Sequence, residues 1–206
     1  SRGPPPLIHA DLMDNIPGLV HGFTAERSLS FSADPADPAW NNLAARAGFP
    51  AGQVALVRQV HGHTVRRVSA PGLAGDGDAL ITDQAGLLLT IRVADCVPIL
   101  LCGPGRQIAA VHSGWRGTAA NIVAATIRAL DGPPMAAVIG PCISTRRYEV
   151  GEEVVDGIRA AGVPDEVFVR RDLGERPHVD LRAAITWQLH QSGVTAVSAL
   201  PQCAFE

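Results

Sequence analysis

The chain has 206 residues, of which 47% are apolar and 18% charged, and its formal net charge is −3 at pH 7. This composition is typical of a folded globular protein and excludes an intrinsically disordered chain. The near-neutral charge provides no basic surface for nucleic acid, and no apolar stretch reaches the roughly 18 residues needed for a membrane helix. We therefore expect neither nucleic acid nor a membrane as a partner.

The N-terminal residues and the cysteines bear on cellular location. Residues 1–6 are rich in proline and lack the apolar core of a secretory signal, so we expect a cytoplasmic protein. The chain has no C-x-x-C pair. We expect reduced thiols, with a disulfide pair as the alternative, and the four cysteines are Cys96, Cys102, Cys142 and Cys203. No repeat or linker divides the chain, so residues 1–206 are predicted to form a single domain.

The first half of the chain is predicted to contain loops and short strands. Residues 32–39 and 70–78, which are rich in Pro, Gly or Asp, are expected to be surface loops. The run at 87–93 is apolar or β-branched except for Arg92 and predicts a buried strand. Further short apolar runs predict strands at residues 54–60, 97–101 and 108–111.

The second half adds helices to these strands. A glycine-bounded turn is expected at 114–117, with Thr118 capping a helix that runs to about residue 130. A second helix is predicted at 152–161, and a third between the Asp180 cap and Gly193. Strands are predicted at 135–139 and 194–200. Mixed strands and helices in this order indicate an α/β or α+β fold.

Three residues of types that bind metals stand where predicted strands end. His61 follows the run at 54–60, Cys96 follows the run at 87–93, and His112 follows the run at 108–111. Strand ends are where ligands and catalytic groups collect in α/β sheets. Two imidazoles and one thiolate would fill three positions of a zinc site and leave the fourth for water or substrate. The sequence therefore predicts a metal centre, with Asp95 as a carboxylate that orients one imidazole.

Each of these residues also has a more ordinary interpretation. A single cysteine after a strand is usually a small buried apolar residue, and a single histidine there is more often structural. Gly62, Pro98 and Gly114 stand beside the three candidates and indicate irregular backbone at a rim, not packed strand. This local context favours a functional site.

The segment GWRGT at 114–118 predicts a second binding feature. Free N–H groups at the start of a helix, together with the guanidinium of Arg116, would make an anion site. Trp115 would either pack in the core or offer a flat face to a planar ligand. The alternative is an ordinary turn that carries a surface arginine.

Four runs of the chain stand in a characteristic order: QVHG at 59–62, ADCVP at 94–98, HSGWRG at 112–117 and IGPCI at 139–143. In this order they resemble the YfiH family, whose members are also called laccase-domain proteins, multicopper polyphenol oxidoreductases or, more recently, purine nucleoside phosphorylases. Shorter runs extend the resemblance from about residue 20 to about residue 200: HGFT at 21–24, DALIT at 78–82, YEV at 148–150 and HVDL at 178–181.

The resemblance implies a fold, a metal and an activity. The family fold is an α/β (α+β) sandwich of mixed sheets with flanking helices, shared with deamidating toxins of the cytotoxic necrotizing factor type. The family's metal ligands fall on His61, Cys96 and His112, and the usual metal is zinc. The implied activity is phosphorolysis of adenosine, inosine, guanosine and methylthioadenosine, with adenosine deamination as a companion reaction. The expected partners are thus a purine nucleoside and phosphate.

The predicted site has two groups of residues. Those expected to take part in catalysis are His61, Cys96, His112 and Arg116. Those expected to contact the substrate are Asp95, Gly114 and Trp115.

This chain departs from the family pattern in places that bear on phosphate binding. The family's Thr-Arg-x-Gly-Gly is replaced at residues 25–29, where only a shifted Arg27 could substitute. The segment at about 41–57 is shortened. The family's later Tyr-Arg-Arg region has no counterpart up to Glu206, so part of the anion-binding arginine set is expected to be absent from these residues.

Two other enzymatic functions stay open at this point, and a non-enzymatic binding module, which would have a flat surface instead of a cleft at the three residues, is the last hypothesis. Cys96 and His112 could act as the nucleophile and base of a hydrolase or amidase, for example on an amide of a peptidoglycan precursor. Copper-dependent oxidation of polyphenols is the third possibility, since two imidazoles and a thiolate also bind copper. However, multicopper sites need several His-x-His pairs, and this chain has one, His61 and His63.

Overall fold

The computed structural model describes residues 7–24 and 30–204, which form eleven strands and seven α-helices. The strands are β1 (Val54–Arg58), β2 (Val65–Arg67), β3 (Gly72–Asp76), β4 (Ala79–Thr82), β5 (Leu88–Leu89), β6 (Val97–Cys102), β7 (Ile108–Ser113), β8 (Ala136–Ile139), β9 (Val169–Arg170), β10 (His178–Val179) and β11 (Val197–Ala199). The helices are α1 (Asp11–Asp14), α2 (Pro38–Arg46), α3 (Trp115–Ala119), α4 (Ile122–Ala129), α5 (Glu152–Ala160), α6 (Asp165–Phe168) and α7 (Leu181–Gln191), with a 3-10 turn at Thr145–Arg147. Within the described ranges, none of these helices is long and apolar enough to cross a membrane.

A six-stranded mixed sheet in the order β11-β8-β6-β7-β4-β2 forms the centre of the fold. The inner pairs are antiparallel, and the edge strands β2 and β11 pair in parallel with β4 and β8. Successive residues of β6 alternate between the two faces, as strand geometry requires. Ile99 and Leu101 join the large core under α4, α5 and α7, whereas Leu100 and Cys102 face a smaller cluster with residues of the N-terminal segment.

A second, three-stranded sheet in the order β3-β1-β5 packs against the first. Its central strand β1 is apolar and buried on both faces, because it lies between two layers. Ala55 and Val57 share a core cluster with Leu80 of β4, while Val54 and Leu56 pack with Trp40 of α2. The fold is thus an α/β sandwich of mixed sheets with flanking helices, and the predicted fold class is confirmed.

The predicted helices at 152–161 and after Asp180 are present as α5 and α7. The Asp180 side chain accepts a hydrogen bond of 2.8 Å from the backbone N–H of Ala183, so it caps α7 as predicted. The buried residues of α7 include Leu181, Ile185 and Leu189, the stripe that the sequence pattern indicated. Helix α2 was not predicted, although Asp37 caps it and Pro38 occupies its first turn.

Two predictions in the first half of the chain were wrong. Residues 70–78, expected to be a loop, contain the edge strand β3. This strand is partly exposed and includes Gly72 and Gly75, so its sequence has no apolar run that would have indicated a strand. Residues 87–93, expected to be a buried strand, contribute only Leu88–Leu89. The chain then leaves the sheet, and Val93 is 38% exposed.

The prediction of one helix from Thr118 to about residue 130 was also wrong. Helix α3 begins at Trp115 after an extended Gly114, and the Thr118 hydroxyl donates to the Gly114 carbonyl inside the helix. Asn121 then adopts a left-handed backbone with φ of 52°, which short polar residues tolerate, and its side chain caps α4. Strand β7 extends to Ser113, so His112 lies within a strand and not after one.

Candidate metal centre

Three segments of the chain bring His61, Cys96 and His112 together. His61 lies on the turn after β1, Cys96 directly precedes β6, and His112 lies in β7. One ligand atom from each residue lies within 4.8 Å of the other two. The β6–β7 register explains part of this: Val97 pairs with Ser113, which brings the residue before Val97 alongside the residue after Ser113. The structure thus groups the three predicted metal ligands at one place.

Asp78 is the residue that joins the two histidines. Its carboxylate, which is fully buried, accepts hydrogen bonds from His112 Nδ1 at 2.8 Å and from the backbone N–H of His61 at 3.0 Å. It also accepts from the backbone N–H of Gly62 at 2.7 Å and of Val60 at 3.3 Å. Asp78, and not Asp95, is therefore the carboxylate that orients an imidazole.

The bond to Asp78 determines which nitrogen of His112 is available to a ligand. A carboxylate accepts hydrogen bonds but donates none when ionised, so His112 donates through Nδ1 and leaves Nε2. Burial lowers the pKa of His112, although its hydrogen bond to Asp78 acts in the opposite direction. The imidazole is thus held neutral, which is the form that binds a metal.

The turn that carries His61 has an unusual backbone. His61 has φ of 58°, in the left-handed region that non-glycine residues seldom adopt. Three consecutive backbone N–H groups, those of Val60, His61 and Gly62, point at the Asp78 carboxylate as a result. These hydrogen bonds compensate for the strain and fix the backbone of His61.

Burial raises the pKa of the Cys96 thiol, and the nearby carboxylates of Asp95 and Asp78 raise it further. A nucleophilic cysteine needs the opposite shift, which a neighbouring cation or a helix N-terminus supplies. A metal ion bound between Cys96 and the two imidazoles would provide that positive charge and stabilise the thiolate. The donor set therefore fits a metal that accepts nitrogen and sulfur ligands, such as zinc or copper.

Gly114 leaves the space in which the three candidate ligands meet. A Cβ atom at this position would lie 2.9 Å from Cys96 Sγ and 3.5 Å from His61 Cδ2. The first distance is shorter than real side chains allow, so only glycine fits here without displacing the thiol. The structure shows this spatial role, while direct contact of Gly114 with a substrate stays a prediction.

The three candidate ligands line one end of a cavity of about 1470 Å³. Much of its remaining lining is apolar and comes from the N-terminal segment, from α2 and from the residues before Cys96, including Phe23, Phe31, Trp40, Leu43 and Ile91. The exposed Asp95 also lines it, close to Cys96. A cavity of this kind, apolar with a few convergent polar groups, is typical of small-molecule sites.

Trp115 and Arg116 are not among the residues that line this cavity. Trp115 is half-buried and packs against the large core, with its ring close to Gly157 of α5. The guanidinium carbon of the exposed Arg116 lies 4.5 Å from the centroid of the Trp115 ring. Their roles in substrate and anion binding stay predictions. Arg27, the other arginine considered, lies outside the described residues.

Two residues beside the centre had no predicted role, Gln59 and Arg92. The Gln59 side chain donates to the Arg92 carbonyl at 2.7 Å and accepts from the Arg92 N–H at 2.8 Å. The Gln59 side chain thus pairs with both backbone polar groups of Arg92, beyond the point where the run at 87–93 has left the sheet. An arginine within an otherwise apolar run was the signal in the sequence that could have indicated Arg92.

A second group of metal-binding residue types lies in the N-terminal segment. Ligand atoms of His9, Asp14 and His21 also lie within 4.8 Å of one another. However, His21 Nε2 already accepts a hydrogen bond of 3.0 Å from the backbone N–H of Ala10. This group therefore has a structural explanation that the group at Cys96 lacks.

Comparisons with known proteins give consistent results. A family model described as multi-copper polyphenol oxidoreductase laccase matches residues 33–206. A protein of Deinococcus radiodurans named purine nucleoside phosphorylase is 40% identical over 198 residues, which cover 92% of this chain and 77% of that protein. The purine nucleoside phosphorylase Rv2149c of Mycobacterium tuberculosis is 36% identical over 183 residues, which cover 82% and 71%.

Solved structures with the same fold are also found. YlmD from Geobacillus stearothermophilus superposes with a TM-score of 0.75 at 29% identity, over 88% of this chain and 76% of that chain. The YfiH protein of Bacillus licheniformis gives a TM-score of 0.74 over 81% and 70%. At 23% identity this second likeness concerns the fold alone.

Proposed function

The chain belongs to the multi-copper polyphenol oxidoreductase laccase family, which is the YfiH family, and on that premise we propose that it is a zinc-dependent purine nucleoside phosphorylase. The observation that carries this proposal is the group His61, Cys96 and His112 at one end of a cavity of about 1470 Å³. Relatives that are 36–40% identical are named for the same activity.

His61, Cys96 and His112 would hold the zinc ion through two imidazole nitrogens and one thiolate. When bound, the ion would supply Lewis-acid chemistry and one open coordination position. The choice of zinc rests on this donor set. It has three protein ligands, and one of them, His112, is hydrogen-bonded to the carboxylate of Asp78. Copper is the alternative metal for the same ligands.

The reaction that we propose exchanges one bond at the sugar for another. An oxygen of phosphate forms a bond to C1′ of the ribose while the bond from C1′ to the purine nitrogen breaks. The purine leaves with its bonding electrons and takes up a proton. The second product is ribose 1-phosphate, or 5-methylthioribose 1-phosphate when the substrate is methylthioadenosine. Adenosine, inosine, guanosine and methylthioadenosine are the substrates proposed, with adenosine deamination, in which water replaces the amino group, as a companion reaction.

The described residues suggest how a nucleoside would be held. The apolar walls of the cavity, which include Phe31 and Ile91, would exclude water and contact the flat base. Asp95 is exposed and lines the cavity near Cys96, where its carboxylate can accept hydrogen bonds from ribose hydroxyls or from purine N–H groups. Such contacts would give Asp95 the substrate-binding role expected from the sequence.

A cysteine hydrolase or amidase is the second candidate, and one observation favours it. The series Asp78, His112 and Cys96 matches the order of an orienting carboxylate, a base and a nucleophile. The raised pKa of Cys96 and the presence of His61 beside it argue against this function. Copper-dependent oxidation of polyphenols is the third candidate and has the name of the family model in its favour.

One experiment distinguishes these candidates. Protein purified without added metal is analysed for bound elements and then incubated with a panel of nucleosides, with and without phosphate. Mass spectrometry identifies the products. We expect bound zinc, and ribose 1-phosphate that forms only when phosphate is present. Free ribose alone, absence of any nucleoside conversion, or activity that requires copper would contradict the proposed function.

A further inference from the structure

Arg92 is a half-buried cation in the same cavity as the candidate metal centre. It lines that cavity together with His61, Cys96 and His112. Its position four residues before Cys96 places it at the end of the cavity that holds the candidate ligands.

The backbone of Arg92 is tied to both segments that carry the candidate ligands. Gln59 makes two hydrogen bonds to it, of 2.7 and 2.8 Å, and lies two residues before His61. Arg92 itself lies four residues before Cys96. Both bonds use backbone atoms of Arg92, so its side chain can be replaced while the connection stays intact.

The guanidinium of Arg92 can donate more hydrogen bonds than it makes to the described residues. A guanidinium carries five N–H groups, and that of Arg92 donates from Nη1 to the carbonyl of Phe31 at 3.2 Å. Among the residues that the structure describes, no carboxylate lies within 4.0 Å of it. A half-buried cation without a counter-ion is unfavourable, and an anionic ligand would compensate for it.

The other charged residues of the cavity lie elsewhere or carry the wrong sign. Arg106 lies on the turn between β6 and β7, about 13 Å or more from His112 by the rise of the strand. Asp83 lies at that same far end, because Thr82 pairs with Ile108. Asp95 is near Cys96 but is negative. Among the arginines that line the described cavity, Arg92 is thus the one at the end with the candidate ligands.

We propose that Arg92 binds the phosphate co-substrate, with its guanidinium aimed into the cavity beside His61, Cys96 and His112. The inference rests on the proposed function for its substrate, inorganic phosphate, but the binding site itself can be tested without any turnover. It assigns to Arg92 the role in phosphate binding that the sequence pattern alone suggested for Arg116.

The test measures phosphate binding and kinetics separately. Zinc-loaded wild type, Arg92→Ala, Arg92→Lys and the matched control Arg106→Ala are titrated with inorganic phosphate and followed by ³¹P NMR line broadening. We expect Arg92→Ala to weaken phosphate binding by about 10- to 100-fold, the loss typical of charge-assisted hydrogen bonds. Arg106→Ala should change it by less than about threefold, as exposed residues usually do.

Enzyme kinetics supply the second measurement. In Arg92→Ala the KM for phosphate should rise by the same factor, while the KM for the nucleoside and the zinc content stay close to wild type. Arg92→Lys keeps the charge but loses the planar fork, so phosphate binding should weaken by a smaller factor. If Arg92→Ala does not fold, Arg92→Lys still tests whether phosphate binding depends on this guanidinium.

The outcomes separate this inference from the proposed function. Equal phosphate binding by wild type and Arg92→Ala would overturn the role of Arg92, whatever the activity. The same holds if wild type binds no phosphate at tens of millimolar. If Arg92→Ala loses phosphate binding but wild type converts no nucleoside, the anion site stands and the proposed function fails.

Discussion

Asp78 Oδ1 lies 2.8 Å from His112 Nδ1, and both side chains are buried, so this pair fixes the orientation of a candidate metal ligand. The same carboxylate holds the turn of His61 through backbone N–H groups. The pair also continues the β4–β7 ladder, since the backbone N–H of His112 donates to the Asp78 carbonyl at 2.7 Å. Sheet register and ligand geometry are therefore coupled at this point.

Replacement of Asp78 by asparagine should weaken metal binding. In Asp78→Asn the new amide has one acceptor oxygen where four N–H donors now converge, so some of them lose their partner. We expect zinc affinity to fall about 10- to 100-fold and the free energy of unfolding to fall by about 1–3 kcal/mol. Competition with a chromophoric chelator and urea unfolding measure the two effects. The nearby exposed Asp76→Asn is the control, and an equal loss of zinc in both variants would contradict this role.

Substitutions of Cys96 should separate a metal ligand from a nucleophile. A carboxylate binds zinc at about 2.0–2.2 Å, so Cys96→Asp should retain part of the metal, whereas Cys96→Ala should retain less. We expect residual activity on nucleosides to follow residual zinc across the two variants. If both variants lack activity although Cys96→Asp is fully loaded, or if wild type forms a covalent adduct during turnover, Cys96 is a nucleophile.

A methyl group at position 114 should displace the thiol of Cys96. In Gly114→Ala the new Cβ would lie 2.9 Å from Cys96 Sγ, so the thiol or the backbone must shift. We expect substantial loss of zinc with little change in secondary structure by circular dichroism. Gly157→Ala is the matched control, because its Cβ would meet the Trp115 ring at an ordinary 3.4 Å. Full zinc occupancy in Gly114→Ala would show that the site tolerates this crowding.

His21 should make stability depend on pH. Burial lowers its pKa below the ordinary value of 6.5, even though Asp14 acts to raise it. A depressed folded pKa means that the unfolded chain binds the proton more readily, so stability is complete above about pH 6.5 and falls as the pH drops toward the folded value. His21→Gln should reduce the difference in unfolding free energy between pH 7.5 and pH 5. The exposed His190→Gln is the control, and equal pH dependence in wild type and His21→Gln would refute the prediction.

Sequence patterns predicted the elements whose signals are local. The apolar runs before His61 and His112 and the Asp180 cap of α7 each depend on neighbouring residues, and each was found in the structure. The grouping of His61, Cys96 and His112 was also predicted, although its premise was only partly right, because His112 lies within β7 and Cys96 precedes β6 instead of following a strand.

The remaining features depend on contacts between distant parts of the chain. The role of Asp78 depends on the register of β4 against β7, which no local pattern encodes. The placement of Arg92 depends on a side chain 33 residues away, that of Gln59. The break between α3 and α4 depends on Asn121 accepting a left-handed backbone, where the local composition alone favoured one continuous helix.

The candidate ligands come from three separate segments, so the folded chain alone presents them together. An ion that binds this set and not the unfolded chain adds to the free energy of unfolding, by about 2.7 kcal/mol when its free concentration is a hundred times the dissociation constant. For a domain of ordinary marginal stability this is a large share of the total. Loss of such an ion would consequently raise the unfolded fraction about a hundredfold and expose more of the protein to proteolysis.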